Sequence, residues 1–156
     1  LAALGAHATG RPVSLWLDRA TDMASTGKRH PFLARYRAGF DRDGRIRVLV
    51  AHLWSDGGFA LDLSPAVMDR ALFHLDNAYF LEALRFEGRC CRTHLPSNTA
   101  FRGFGGPQGV LVVESAMDAA AQALGLGLGT QPRGDDNRGV AARRPICLSR
   151  LSQAWN

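Results

Sequence analysis

The sequence predicts an α+β fold in which packed helices cover a mixed β-sheet. Two neighbouring segments, residues 32–40 and 46–54, have the composition of β-strands, and an Asp-Gly turn signal lies between them. A longer segment, residues 107–124, repeats apolar side chains at three- and four-residue spacing, as an amphipathic helix does. Strands joined by a tight turn, together with a helix that has one apolar stripe, indicate a fold with both element types.

The first thirty residues predict a helix end, a strand and a loop, in that order. Residues 1–9 have the pattern of a helix end, and Pro12–Asp18 is predicted to be a strand. The apolar residues expected on one face of this strand are Val13, Leu15 and Leu17. Residues 19–30 are polar and contain glycine, so we expect a loop there.

The middle of the chain predicts a hairpin followed by a helix and a further strand. Phe32–Phe40 and Ile46–Trp54 are the two hairpin strands, with the turn at Asp41-Arg42-Asp43-Gly44 and a stop for the second strand at Gly57-Gly58. Residues 65–74 are predicted to form a short helix, since a proline stands near its start. We expect a third strand at Arg85–Thr93.

The clearest helix is predicted at Pro107–Leu124. Its apolar stripe consists of Val110, Val113, Met117, Ala120 and Leu124. Gly125 stands where a C-terminal cap glycine belongs, and Met117 is interpreted as a core residue.

The chain changes character after Gly125. Residues 126–156 have no sustained period and are rich in glycine and arginine, so we divide the chain into a domain at 1–125 and a tail at 126–156. We expect this tail to be largely disordered, and to begin with a frameshift or premature end near Leu126–Gly129. Because the chain does not begin with methionine, we expect an internal fragment or a trimmed gene model.

Composition excludes several classes of function. A hydrophobic share of 46% is ordinary for a globular protein, and no apolar run is long enough to span a membrane. The formal net charge is +5, but the arginines are scattered and do not alternate with aromatics, so we expect no nucleic-acid partner. Cys90, Cys91 and Cys147 do not form a disulfide framework, which favours a cytoplasmic location.

The segment Ser97–Gly109 carries the strongest functional signal. It reads Ser-Asn-Thr-Ala-Phe-Arg-Gly-Phe-Gly-Gly-Pro-Gln-Gly and leads directly into the predicted long helix. Glycine lets backbone N–H groups approach a ligand closely, and the start of a helix offers unpaired N–H groups and a partial positive charge. The segment is therefore predicted to hold a flat, negatively charged group.

This segment resembles the molybdenum-cofactor-binding part of the xanthine and aldehyde oxidase family, and of its xanthine dehydrogenases in particular. Five further strings match in the family's order: Thr9–Val13, Leu17–Arg19, Thr26–Phe32, Asp69–His74 and Asp76–Tyr79. The resemblance runs from Leu1 to about Gly125 and covers a minor part of a family subunit. It implies a partial molybdenum-cofactor-binding domain.

The resemblance implies hydroxylation of hypoxanthine and xanthine to urate with oxygen from water. The cofactor would be a molybdenum–pterin, and the electrons would leave through iron–sulfur clusters and FAD on other segments or another subunit. The family's general-base glutamate lies in a string that this chain does not contain, so we expect the chain alone to be inactive.

The resemblance also assigns roles to individual residues. Arg70 is implied to orient a purine and to stabilise negative charge on it, which a planar, permanently charged guanidinium can do. Phe104 is implied to pack on the substrate ring. Arg102 is implied to contact the molybdenum centre. The other residues implied to line the cofactor are Ala100, Phe101, Gly103, Gly105, Gly106 and Gln108. His30 and His74 are expected to form local hydrogen bonds and not to bind a metal.

Two alternatives remain open from the sequence. The chain could be a non-catalytic remnant or a stand-alone interaction module that reuses the fold. It could also belong to a hydroxylase of aldehydes or other nitrogen heterocycles, a reading that Arg70 disfavours because aldehyde-oxidising relatives usually lack this arginine.

Overall fold

Seven elements make up the part of the chain that the computed structural model describes, residues 1–41 and 44–125. They are, in order, α1 (Ala2–Thr9), α2 (Arg19–Ser25), β1 (Phe32–Phe40), β2 (Ile46–Gly58), α3 (Ser64–Phe73), β3 (Ala83–Arg92) and α4 (Gly106–Ala123). The predicted tail at 126–156 lies outside the described residues. No helix in the described part combines the length and the apolar character needed to cross a membrane.

The sheet is mixed, as predicted. Its strand order is β1-β2-β3, with β1 antiparallel to β2 and β2 parallel to β3. The hairpin between β1 and β2 forms where the Asp-Gly signal predicted it, and the Asp41 N–H donates to the Arg45 carbonyl at 3.1 Å. Because β2 and β3 run in the same direction, α3 serves as the crossover between them, and their carboxyl ends meet at one edge.

One face of the sheet carries α3 and α4. The buried core combines alternate residues of the sheet, such as Leu49 and Leu53, with Met68 and Ala71 of α3 and with the apolar face of α4. The α+β fold class is thus confirmed: two helices cover one face of a three-stranded sheet.

The long helix forms where the apolar stripe predicted it, with a small rotation of its buried face. Met117 is 3% exposed and lies in the core as expected. Val112 and Ala116 are also buried, whereas Val110 is half-buried and Leu124 is 43% exposed. The apolar face is therefore centred beside the predicted stripe.

The prediction for residues 12–30 was wrong in two respects. Pro12–Asp18 forms no strand, and Val13 and Leu15 are 40% and 53% exposed because no neighbouring strand covers them. The expected loop at 19–30 contains α2, whose first turn is capped by Asp18. The Asp18 carboxylate accepts the Thr21 N–H at 3.0 Å and the Thr21 hydroxyl at 2.6 Å.

Candidate functional site

The predicted ligand loop makes two tight turns before α4 begins. The Phe104 N–H donates to the Phe101 carbonyl at 2.7 Å, and the Gly106 N–H donates to the Gly103 carbonyl at 2.9 Å. Three successive residues, Gly103, Phe104 and Gly105, have left-handed φ angles of 93°, 48° and 95°. A non-glycine residue in this region is uncommon, so the loop holds Phe104 in a conformation that its surroundings must enforce.

Asn98 fastens the base of the loop to two other parts of the chain. Its side-chain amide donates to the Asp56 carbonyl at 2.9 Å and accepts the Lys28 N–H at 3.3 Å, while its own backbone N–H donates to Gly57 at 3.2 Å. The Thr99 N–H adds a bond to the Lys28 carbonyl at 3.0 Å. Asn98 is 8% exposed, so these bonds satisfy a buried amide.

The tip of the loop is held by Arg29. Its Nη2 donates to the Arg102 carbonyl at 2.8 Å, and its guanidinium carbon lies 4.3 Å from the centroid of the Phe101 ring. Sequence analysis assigned no role to Arg29 or Asn98, because their partners lie far away along the chain. The available signals were that Arg29 falls within the matched string Thr26–Phe32 and Asn98 within the segment Ser97–Gly109.

The structure brings most of the predicted cofactor-lining residues to one exposed tip. The exposed ones are Ala100, Phe101, Arg102 and Gly103. Phe104, Gly106 and Gln108 are half-buried. The Gln108 amide, on the first turn of α4, donates to the His30 carbonyl at 3.5 Å, while its Oε1 is buried and has no hydrogen-bond partner among the described residues.

The loop glycines differ in whether the surrounding atoms leave room for a side chain. A Cβ on Gly105 would lie 2.0 Å from the Val67 carbonyl oxygen, so this glycine permits close contact with α3. A Cβ on Gly106 would meet only His74, at 3.6 Å, which is an ordinary contact. The close approach expected for Gly105 is therefore an approach to protein backbone, and Gly106 is not sterically required.

Arg70 lies on the helical turn of α3 that Gly105 contacts. It is exposed, and its guanidinium has no ion pair or hydrogen bond among the described residues. The contact between Gly105 and residues 67–71 places the loop directly against this turn. The α3 turn that carries the predicted substrate residue thus packs, through its backbone, against the predicted cofactor loop at Gly105.

A buried imidazole lies behind the loop. His30 is 2% exposed, and its Nε2 is 2.7 Å from the hydroxyl of Ser64, the first residue of α3. Burial lowers the pKa of His30, while Asp56 and Asp62 act in the opposite direction. The expectation of a local bond was wrong, because Ser64 is 34 positions away.

A pocket of about 330 Å³ lies beside the carboxyl ends of β2 and β3. It is lined by Gly57, Gly58, Phe59, Cys90 and Arg92, among others, and by none of the predicted site residues. No three His, Cys, Asp or Glu side chains converge on a metal-sized site within residues 1–41 and 44–125.

Comparison with known proteins shows the family to which the chain belongs. Residues 1–128 match the family described as Molybdopterin cofactor-binding domain. The chain belongs to this family. The match confirms the predicted kind of cofactor, a molybdopterin.

Relatives of this molybdopterin cofactor-binding domain include proteins named for different substrates. The chain is 56% identical over 124 residues to a xanthine dehydrogenase/oxidase of Rattus norvegicus and 53% identical over 126 residues to aldehyde oxidase 2 of Cavia porcellus. These alignments cover 80% and 81% of the chain but 9% of each relative. The chain thus spans about one-eleventh of the length of these curated relatives.

The fold is also similar to that of solved structures. An aldehyde oxidoreductase from Desulfovibrio gigas superimposes with a TM-score of 0.73 and 30% sequence identity, over 80% of this chain and 14% of that one. The likeness supports the assignment of the loop, the sheet and α4 to one molybdopterin cofactor-binding scaffold.

The described residues fit a molybdopterin on two observations. Arg29 Nη1 and Gln108 Oε1 are buried without a partner among the described residues, and such atoms commonly mark a missing water or ligand. The exposed tip also presents the Arg102 guanidinium, which no described acidic group neutralises. The Arg29 and Arg102 guanidinium groups are donors that suit an anionic, oxygen-rich group, whereas Gln108 Oε1 is an acceptor that suits an N–H of a pterin.

Proposed function

We propose that this chain is the part of a xanthine dehydrogenase-type molybdenum hydroxylase that orients a purine beside the molybdenum–pterin cofactor. The observation that carries the proposal is that Gly105 packs against the turn of α3 that contains Arg70. A Cβ on Gly105 would lie 2.0 Å from the Val67 carbonyl oxygen. This contact packs the proposed cofactor loop against the backbone turn that carries Arg70. It supports a cofactor site on the loop and a substrate site at Arg70 that would lie close to each other.

The loop residues would hold the cofactor. When bound, the cofactor supplies the redox chemistry that hydroxylates a ring carbon. Arg102 would stabilise negative charge at the metal centre, and Ala100 and Phe101 would contact the cofactor beside it. Gln108 would complete the pocket through its buried Oε1.

Arg70 would determine the class of substrate. A guanidinium stays charged at any physiological pH and presents a rigid fork of donors, which suits the carbonyl oxygens of hypoxanthine and xanthine. Phe104 would orient the flat ring through offset or edge-to-face contact. These two roles rest on the resemblance and on the exposure of Arg70.

The remaining parts of the reaction belong to other segments. The general-base glutamate, the iron–sulfur clusters and FAD would lie elsewhere in the subunit or in a partner, so the chain alone would not turn over. We further propose that 1–125 is the domain unit and 126–156 a separate tail, and that the protein acts in the cytoplasm.

A chimera tests this proposal. Residues 1–124 would replace the matching 124 residues of the rat xanthine dehydrogenase/oxidase, and urate formation from xanthine would be measured by absorbance. We expect urate formation to be retained. The Arg70→Leu change should lower kcat/KM for xanthine by about 10- to 100-fold, the effect of losing charge-assisted hydrogen bonds. The matched control, Arg37→Leu, removes an exposed arginine of β1 and should leave kcat/KM unchanged.

The other outcomes identify the alternatives. Because the Cavia porcellus aldehyde oxidase 2 is almost as similar, the chimera is also assayed with an aldehyde. Aldehyde turnover without urate formation would assign the chain to the aldehyde class. A folded, cofactor-loaded chimera that turns over neither substrate would indicate a non-catalytic remnant. Urate formation by the 156-residue chain alone would contradict the proposed division of the machinery.

A further inference from the structure

Arg29 bridges the segment before β1 and the tip of the cofactor loop. Its Nη2 donates to the Arg102 carbonyl at 2.8 Å, and its guanidinium stacks on Phe101 at 4.3 Å. Its Nη1 lies on the side of Gly103, 3.9 Å from where a Cβ of that glycine would be. One side chain therefore contacts Phe101 and Arg102 and lies beside Gly103.

The backbone on both sides of this bridge is fixed. A Cβ on Gly27 would lie 2.1 Å from the Ser97 carbonyl oxygen, so the two backbone segments are in direct contact. Lys28 exchanges hydrogen bonds with Asn98 and Thr99, at 3.3 and 3.0 Å. Arg29 follows immediately and so projects from a rigid base toward a tip that has few bonds of its own.

Arg29 holds the tip in addition to the two turns of the loop. Phe101 is 54% exposed, and Arg29 is the donor to the Arg102 carbonyl among the described residues. Beyond Arg102 the backbone enters the left-handed run of Gly103, Phe104 and Gly105, and only at Gly105 does a carbonyl accept the first hydrogen bonds of α4. Without Arg29, residues 101 and 102 would lose their link to the segment before β1.

We propose that Arg29 is a positioning residue that sets the place of Phe101 and Arg102 relative to the segment before β1. It acts through a charge-assisted hydrogen bond and a cation–π contact, and both need a planar guanidinium. Lysine cannot form the same fork, so Arg29→Lys is not a conservative change here. The consequence for catalysis rests on the proposed function, whereas the effect on the loop does not.

Hydrogen exchange in the full 156-residue chain tests the effect on the loop. The reporters are the Phe104 and Gly106 amides, which donate within the loop, and the control amides are those of Leu49 and Leu53 in the core. In Arg29→Ala the reporters should exchange about 10-fold faster or more, because one hydrogen bond from a charged donor is lost. The core amides should keep their rates, and added methylguanidinium should restore the reporters.

Matched variants keep the test decisive. Arg37→Ala removes an exposed arginine of β1 and should change neither group of amides. If Arg29→Ala does not fold, Arg29→Lys provides the measurement, and its reporters should also exchange faster than in the wild type. Unchanged reporter exchange in a folded Arg29 variant, or faster exchange in Leu49 and Leu53 as well, would overturn the proposal.

The chimera with the rat enzyme then tests the consequence for catalysis. Arg29→Ala should lower kcat for xanthine more than it changes KM, and methylguanidinium should restore kcat. If the chimera with Arg29 intact forms no urate, the proposed function is refuted. The hydrogen-exchange result on the loop is not affected by that outcome. Normal kcat in the Arg29→Ala chimera would refute the catalytic role of the positioning.

Discussion

His30 joins the segment before β1 to the start of α3 through one buried hydrogen bond. Its Nε2 lies 2.7 Å from the Ser64 hydroxyl, and both residues are almost fully buried. The backbone carbonyl of His30 accepts from Gln108, so the same residue also contacts α4. A neutral imidazole fits this place, because a charged ring would lose its hydration on burial.

The stability of the chain should therefore depend on the charge of His30. Burial lowers the pKa of His30 below its ordinary value of 6.5, so the unfolded chain takes up the proton first as the pH falls. The free energy of unfolding is then at its full value above about pH 6.5 and decreases below it. Denaturant unfolding between about pH 8 and pH 5 measures this slope.

Two histidine variants check the assignment of this slope. His30→Gln should flatten the pH dependence, whereas His7→Gln, at an exposed position of α1, should keep the wild-type slope. If His30→Gln and the wild type have the same slope, His30 is not the group responsible.

Sequence reasoning at the level of single residues located the exposed residues better than the buried ones. The uncommon string at 97–109 led to Arg102 and its neighbours, which do lie together at the tip. The role of Arg29, the partners of Asn98 and the Ser64 partner of His30 could not be found in this way. Their hydrogen bonds span between 34 and 73 positions, and no local pattern specifies which distant group will meet them.

At the level of elements, α4 packs on α3 through two backbone contacts. A Cβ on Gly109 would lie 2.1 Å from the Ala71 carbonyl oxygen, and one on Gly105 would lie 2.0 Å from that of Val67. Glycines one helical turn apart therefore let the two backbones touch. This contact also fixes the loop beside Arg70, so packing and site geometry have one cause.

Adding a single methyl group should separate the two helices. In an exposed helix, Gly→Ala stabilises by roughly 1 kcal/mol, but in Gly109→Ala the collision with Ala71 should outweigh that gain. We expect a net loss of about 1–3 kcal/mol in the free energy of unfolding, measured by urea denaturation.

Gly106→Ala is the matched control, since its nearest neighbour outside the helix is 3.6 Å away. It should change the stability by no more than about 0.5 kcal/mol. Equal stability of the Gly109 and Gly106 variants would contradict the close contact of α3 and α4.

Elements with a strong local signal were predicted, and elements that depend on context were not. The hairpin has a turn signal between two strands, and α4 has a long apolar stripe. Pro12–Asp18 alternates in the same manner, but no strand pairs with it, so alternation alone was misleading. The signal missed for α2 was Asp18, whose carboxylate caps the helix. The parallel pairing of β2 and β3 has no local signal at all.

At the level of the whole molecule, much apolar side-chain surface remains in contact with water. Trp16 and Phe73 are 83% and 82% exposed, and further aromatic and aliphatic side chains are exposed along residues 59–63. Soluble domains rarely leave so many large apolar side chains uncovered without a partner surface. A chain studied by itself should therefore associate with copies of itself.

Sedimentation velocity over a range of concentrations measures this association. We expect larger species to form as the concentration rises, and the double variant Trp16→Ser/Phe73→Ser to reduce them without loss of stability, because both side chains are exposed. Gln122→Ser, at another exposed position, is the control and should associate as the wild type does. A wild-type chain that remains monomeric throughout the range would contradict this expectation.

The long-range bonds of the cofactor loop determine when the site can assemble. Lys28 meets Asn98 across 70 positions and Arg29 meets Arg102 across 73, whereas the β1–β2 hairpin closes over a short turn. Closing a long loop costs more chain entropy than closing a short one, so the hairpin should form early and the site late. During synthesis on the ribosome, the segment before β1 emerges well before its partners exist. The contacts that hold the loop are thus completed only after β3 has been added to the sheet, and a cofactor held by this loop, as proposed, would be loaded after that step.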